Sequence, residues 1–256
     1  MKNCVKLFVI LFCLSFAMIG CGGGGSGGGS GGSILTLPEL EDVEGNKYGT
    51  CMIGNQLWMA ENLRTISFRD GYWMLTGPFD SVEWASAGAA TCVYPYDAIG
   101  LDSAAAVIEA YGRLYNWYSV NDSRGLCPEG WRVPTEEDWL ELIDYLGGEE
   151  VAGGKLKSYR TAPISNHPRW ESPNTGVTGD YRFNALPGGY RTGLTGFFDE
   201  VGYYASFWSS TEFETTFAGT MSLDYSSTFA DYGYSHKRAG YSVRCICGDG
   251  GGVVAP

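Results

Sequence analysis

Residues able to do chemistry are sparse in this chain and poorly grouped. His167 and His236 are its two histidines, so a multi-histidine metal centre is excluded and a Cys/His zinc site is short of nitrogen ligands. Carboxylates fall in adjacent pairs, Glu136-Glu137, Glu149-Glu150 and Asp199-Glu200. Such pairs usually mark solvated surface. A glycosidase needs two carboxylates about 5–9.5 Å apart across a cleft, which a sequence does not display. Ser165 and His167-Pro168 share a loop without hydrolase geometry. The run from Gly22 to Gly32 is no phosphate loop, because it lacks a preceding strand, a following helix and a Lys.

The elements that must position any site are clearest between Cys127 and Gly148. Thr135 can cap a helix there, and Asp138, three residues on, can reach back to the cap. Glu136, Glu137 and Asp138 place negative charge at the positive end of the helix dipole. Trp139, Leu142, Ile143 and Leu146 make one apolar face, and Gly147-Gly148 stops the helix. A second helix is expected within Ser103–Val120, capped by Ser103, with Gly112 either inside it or at its true start. Strands are expected at Lys47–Ile53 and Gln56–Ala60, joined by the hairpin dipeptide Gly54-Asn55. Further strands are expected at 183–186, 189–191, 205–211, 219–225 and 241–247. Residues 153–180 hold Pro163, Pro168 and Pro173 and read as one long loop, a feature often tied to function. The pattern is α+β, with two helices on short twisted antiparallel sheets.

The chain starts with a different kind of segment. Lys2 and Lys6 flank the start of Leu7–Ile19, an apolar run of 13 residues, which suits a secretory signal better than a membrane span. It ends in Met18-Ile19-Gly20-Cys21, which resembles the bacterial lipobox. That implies a signal over 1–20 and lipidation of Cys21; the plainer alternative is an ordinary signal with Cys21 as a linker thiol. Residues 22–33 are only Gly and Ser and complete a tether, 21–33, whose flexible part has a reach of about 20 Å. One domain follows over 34–247, then a loose tail, 248–256. Without the two signal lysines the charge is 15 minus 29, or −14, which repels phosphate-rich partners and argues against nucleic acid. Cys51, Cys92, Cys127, Cys245 and Cys247 remain in the exported part, where disulfides persist; five is odd, so at least one stays free or pairs between chains.

Six phrases then occur in one order. They are Gly54-Asn55-Gln56-Leu57-Trp58-Met59-Ala60-Glu61-Asn62-Leu63, Tyr111-Gly112-Arg113-Leu114-Tyr115-Asn116-Trp117, Cys127-Pro128-Glu129-Gly130-Trp131-Arg132-Val133-Pro134-Thr135, Asn184-Ala185-Leu186-Pro187-Gly188-Gly189-Tyr190-Arg191, Phe207-Trp208-Ser209-Ser210-Thr211 and Ser242-Val243-Arg244-Cys245. Together they resemble the Fibrobacter succinogenes major paralogous domain family, over roughly 41–245. The resemblance implies a C-type lectin-like fold and an exported or surface lipoprotein, at the outer membrane or cell surface. It also implies a long disulfide between Cys127 and Cys245, worth about 3–5 kcal/mol by loop entropy. Cys51–Cys92 is the next pairing to test.

C-type lectins that bind sugar through calcium use Glu-Pro-Asn-like and Trp-Asn-Asp triplets. Here Glu171-Ser172-Pro173-Asn174 carries an inserted Ser, and Trp208 precedes two serines, so two strong oxygen ligands are missing. Calcium is therefore a minor expectation, and no other cofactor is implied. Among aromatic rings that could stack on sugars, Trp73, Trp84 and Trp170 lie in irregular segments; packing explains them about as well as binding. Ligand candidates are thus Trp73, Trp170, Glu171 and Asn174. Arg132 to Trp139 and Gly240 to Cys245 are also similar to phrases in formylglycine-generating enzymes, but Cys245 and Cys247 differ in spacing and place from the copper-holding pair of those enzymes. The expectation is a non-catalytic binding or adhesion module for a glycan or surface protein. A structural role in the envelope is the alternative, and an oxygenase comes third.

Overall fold

The computed structural model describes residues 40–161 and 167–248; the signal segment, Cys21, the tether, Ser165 and the tail beyond Gly248 lie outside them. Strands β1 (Leu40–Glu41) and β2 (Lys47–Tyr48) form a small hairpin. Its turn is organised by Asp42, whose carboxylate accepts from Glu44 N, Asn46 N and the Tyr48 hydroxyl. β3 (Thr50–Ile53) and β4 (Gln56–Met59) pair across Gly54-Asn55 as the dipeptide predicts. Next come β5 (Leu75–Thr76), α1 (Ser81–Ser86), β6 (Ala90–Cys92), α2 (Ala104–Tyr111), β7 (Leu114–Tyr115), α3 (Trp117–Val120) and β8 (Trp131–Arg132). α4 (Glu136–Tyr145) and α5 (Glu149–Leu156) are consecutive helices. The chain then builds β9 (Gly188–Arg191), β10 (Phe198–Val201), β11 (Tyr204–Glu212), β12 (Phe217–Asp224), β13 (Ala230–His236) and β14 (Ile246–Cys247).

The largest sheet has the order β10-β9-β11-β12-β13, antiparallel except for β9 beside β11. A second sheet runs β3-β4-β14-β8 and a third β5-β6-β7. The segment Gly240–Cys247 joins all three. Gly240 exchanges backbone bonds with Arg191, Tyr241 with Tyr115, and Ser242 lies between Ser206 and Trp208. Val243 O and Cys245 O accept from Leu63 N and Met59 N. α4 packs on β11, β12 and β13, and α5 lies against β13. The core between them stacks Trp58 on Trp139 at 4.7 Å, with Phe183 and Phe207 around Trp139 at 6.3 and 5.9 Å.

α4 forms as its sequence predicts. Thr135 and Asp138 make a reciprocal capping box, Trp139, Leu142 and Ile143 are buried, and Gly147 and Gly148 take positive φ just beyond the helix. The second expected helix is shorter. Ser103 caps it, but Gly112 ends it rather than starting it: φ is 77° there, and a Cβ would lie 2.7 Å from that of Asn62. Residues beyond turn into β7 and the separate helix α3. The chain therefore has more than two helices, with α1, α3 and α5 added. The segments expected as strands at 183–186 and 241–247 are mostly irregular backbone held by single bridges, and only the end of the latter forms β14.

The disulfide joins Cys127 and Cys245, with Cα atoms 6.0 Å apart. Cys51 and Cys92 do not pair, which corrects that expectation. Cys51 packs beside Trp58 in the main core, while Cys92 packs with Trp84 and Leu114 in a separate cluster. Burial pushes both thiols up, Cys51 to about 11 and Cys92 to about 12, so they behave as small apolar side chains.

The start of the long loop, expected from 153 on, belongs to α5 through Leu156. Gly153 and Gly154 sit inside this helix because another backbone crosses it: a Cβ on Gly153 would fall 1.9 Å from Phe229 O, and one on Gly154 2.3 Å from Gly176 O. Helix propensity alone says that Gly153→Ala stabilises by about 1 kcal/mol. The crossing predicts the reverse, a loss of about 1–3 kcal/mol from overpacking, read from the urea midpoint.

Candidate functional site

What remains of the long loop is fastened at several points. Lys157, 1% exposed, donates to Thr175 O, Asp224 O and Ser227 O at 2.9, 2.9 and 2.7 Å. Trp170 N donates to Arg160 O, and Glu171 N to Gly202 O at 2.8 Å, in the turn between β10 and β11. This docking brings His167 beside the strand β10 and the Tyr94–Ile99 segment. Tyr94, Ile99, His167, Asp199, Glu200 and Tyr203 line a cleft of about 510 Å³.

Each side chain has a local reason for its place. Tyr94 packs edge-on against Phe198 at 5.3 Å, and Tyr203 against Tyr225 at 5.1 Å, so both rings are held from behind. Tyr203 is 41% exposed and presents its ring to solvent. His167 Nδ1 lies 2.6 Å from the Tyr111 hydroxyl, whose oxygen accepts from Arg169 N at 3.2 Å. The hydroxyl proton is then available for Nδ1, which assigns the neutral ring's own proton to Nε2. Glu200 has φ 62°, and Gly189, opposite it across β9 and β10, has φ 63°. A Cβ on Gly189 would lie 2.3 Å from Asp199 O, so glycine is what lets the two strands approach there. A left-handed Glu costs about 1–3 kcal/mol, and such strain clusters at functional positions.

The charge in the cleft is negative. Burial raises the Glu200 carboxyl, with Asp199 and Asp224 adding to the shift. Burial, then the same Asp199 and Glu200 charges, raise the Tyr94 hydroxyl. Burial and then Arg169 lower His167, so its neutral ring is favoured in the fold. Carboxylates and a phenol offer acceptors, the rings offer flat apolar faces, and His167 offers a donor. Such a set can hold a neutral polyol.

The expected ligand residues separate. Trp73 is 73% exposed beside Tyr72, in a bridge with Ser67 before β5 and outside this cleft. Trp170 is fully buried: its Nε1 donates to Ala185 O at 2.9 Å, and Lys157 lies over its ring at 5.4 Å. It cannot act as a stacking platform, because the loop folds it inward to fill the core. Asn174 is turned inward too, donating to Ser158 O at 2.9 Å, while Glu171 pairs with Arg169. Glu171 is thus paired with Arg169, and Asn174 is buried with only its amide nitrogen bonded. Trp84 is buried with Arg191 over its ring. Cys245 is bonded to Cys127, so Cys245 and Cys247 do not make a dithiol. By type and spacing Asp199-Glu200 is a pair that usually marks solvated surface, and nothing in the sequence singles out Tyr94 or Tyr203.

Helices packed on several small sheets, with a looped cleft at one side, define an α+β domain. The chain matches the Fibrobacter succinogenes major domain over residues 51–247 and belongs to that family. No curated protein and no solved structure matches it.

His167 gives a pH prediction. Its folded pKa is lowered, so as pH falls through about 6.5 the unfolded chain takes up the proton first and stability drops. The His167→Gln variant should lose this part of the drop. Urea unfolding of both proteins between pH 8 and 5 checks it: the wild-type curve should fall more steeply than the variant's.

Proposed function

We propose that this protein is a non-catalytic binding module for glycans, carried on an exported, lipid-anchored chain with a C-type lectin-like domain. The observation that carries the reading is the convergence of Tyr94 and Tyr203 with Asp199, Glu200 and His167 in one cleft beside the 167–174 loop. Sugars bind proteins through ring faces on aromatic side chains and through paired hydrogen bonds from hydroxyls to carboxylates. The cleft offers both kinds of contact. The mature charge of −14 also suits a neutral partner better than a phosphate-rich one. The lipid anchor and Gly/Ser tether give such a module reach from the membrane on which it is held, at the outer membrane or cell surface. Calcium is not required by this contact set.

A second reading, assembly with a protein of the envelope, is favoured by a different surface. Val82, Leu194 and Phe197 are 75%, 70% and 71% exposed and line one shallow groove beside α1. Contiguous apolar exposure of that kind marks protein contact.

The experiment is binding to a panel of soluble and insoluble glycans, with calcium and then with chelator. Binding that survives chelation and weakens about tenfold in Tyr203→Ala supports the cleft, since one stacked ring and its hydrogen bonds are worth about 1–2 kcal/mol. Loss with chelator alone would show a cation-dependent site instead. No glycan binding, with protein capture lost in Phe197→Asp, would move the function to assembly.

A further inference from the structure

On the other side of the His167-Pro168 step lies a second cavity, of about 420 Å³, with the opposite chemistry. Pro168 and Leu101 are part of its lining, while their neighbours His167 and Ile99 line the cleft above. Its charged and polar lining includes Arg160, Arg244, Asn184, Glu61 and Glu109. Arg244 is 1% exposed and forms no ion pair among the described residues, although the Glu61 charge acts on it. Its Nε and Nη2 donate to Asn62 Oδ1 at 3.2 and 2.6 Å, and Nη1 donates to Phe183 O. A guanidinium has five N–H donors, so two remain without an acceptor among the described residues. Phe183 and Phe207 flank the guanidinium, 4.3 and 5.3 Å from its carbon. It is held firmly and is incompletely satisfied.

Arg160 stands at the same cavity with its guanidinium in no ion pair among the described residues, close enough to act on the Tyr111 hydroxyl. Asn184 is exposed and has φ 51°, a strained setting that presents its amide at the surface. Glu61 is already engaged, accepting from Gly49 N at 2.6 Å. Glu109 is exposed on α2. The cavity therefore combines cationic donors from Arg160 and Arg244 with the exposed carboxylate of Glu109.

We propose that this cavity is the subsite for a uronic acid residue of the glycan whose neutral part occupies the Tyr94–Tyr203 cleft. The inference rests on that reading of the cleft. A carboxylate takes charge-assisted bonds from Arg160 and the open Arg244 donors. The hydroxyls of the same sugar ring are donors for Glu109. An inorganic anion such as sulfate satisfies the arginines and offers nothing to Glu109, so the combined lining selects a sugar acid over a bare anion. The two cavities lie on either side of one peptide step, and adjacent sugar units of a chain can span it.

The test uses the purified full-length protein and titration calorimetry with glucuronate- and galacturonate-containing oligosaccharides, their neutral counterparts and inorganic sulfate. Arg160→Glu is the informative variant, because Arg160 is exposed while Arg244 holds the core. The acidic oligosaccharide should bind about tenfold tighter than the neutral one, as expected for a charge-assisted contact, and lose that margin in Arg160→Glu and in high salt. Neutral-sugar affinity should stay unchanged in that variant and fall in Tyr203→Ala. Equal binding of acidic and neutral sugars, indifferent to Arg160→Glu but sensitive to Tyr203→Ala, overturns this subsite and leaves the cleft standing. Sulfate competing as well as the sugar acid overturns the sugar specificity. Absence of all sugar binding overturns both the subsite and the cleft.

Discussion

Buried cations that satisfy backbone carbonyls while resting on aromatic rings hold this fold together. About half the described backbone is neither helix nor strand, so its carbonyls cannot all be paired by regular ladders. Arg191 donates to Gly196 O and Phe79 O at 2.9 and 2.6 Å and lies over Trp84 and Phe198. Lys157 gathers three carbonyls over Trp170, and Lys237 takes Thr215 O and the Glu212 carboxylate over Trp117. Arg244 links Asn62 to Phe183 between two Phe rings. A ring face stabilises a desolvated cation by about 2 kcal/mol, and each charged hydrogen bond adds about 1.5–3. Together these offset the cost of burial, which still pulls Lys157 down to about 8 and Arg244 to about 10.

The clamps explain why irregular segments sit where they do. Lys157 pins 174–178 against the end of β12, which presses Gly176 onto α5 and demands Gly154 there. Arg191 pins the approach to α1 against the turn after β9. Arg244 and the disulfide fall on adjacent residues of the segment that stitches the three sheets. Such an arrangement tolerates long loops, because each loop has its own anchor.

Local rules account for what was legible in the sequence. The cap at Thr135, the apolar spacing through Ile143 and the hairpin at Gly54-Asn55 are written within a few residues, and the structure keeps them. The Cys127–Cys245 link came from family resemblance, not from spacing. What stayed hidden depends on contacts across the chain. Gly153 and Gly154 fall in the stretch that reads as loop, yet they permit a helix under a crossing strand end. Gly112 read as a weak interior residue or a start; Asn62, 50 positions earlier, makes it a stop. β13, with Gly233 between two tyrosines, is not among the expected strands, and pairing with β12 makes it one.

The candidate site followed the same division. A tryptophan in a Pro-rich loop looks exposed, but Lys157 and Ala185 O draw Trp170 inward, because a buried indole needs both an apolar bed and an acceptor for its N–H. The described residues around Trp170 are held by that docking, with His167 against Tyr111 and Pro168 at the edge of the arginine cavity. A flexible loop would present the same residues at the entropic cost of ordering them on each ligand. Here folding orders the described residues around Trp170, through the Lys157 bonds and the Trp170 hydrogen bond. Lys157 spends its donors on three backbone carbonyls, while Asp199, Glu200 and Arg160 line the two cavities. The docking of the loop thus comes from the same buried hydrogen bonds and ring contacts that close the core.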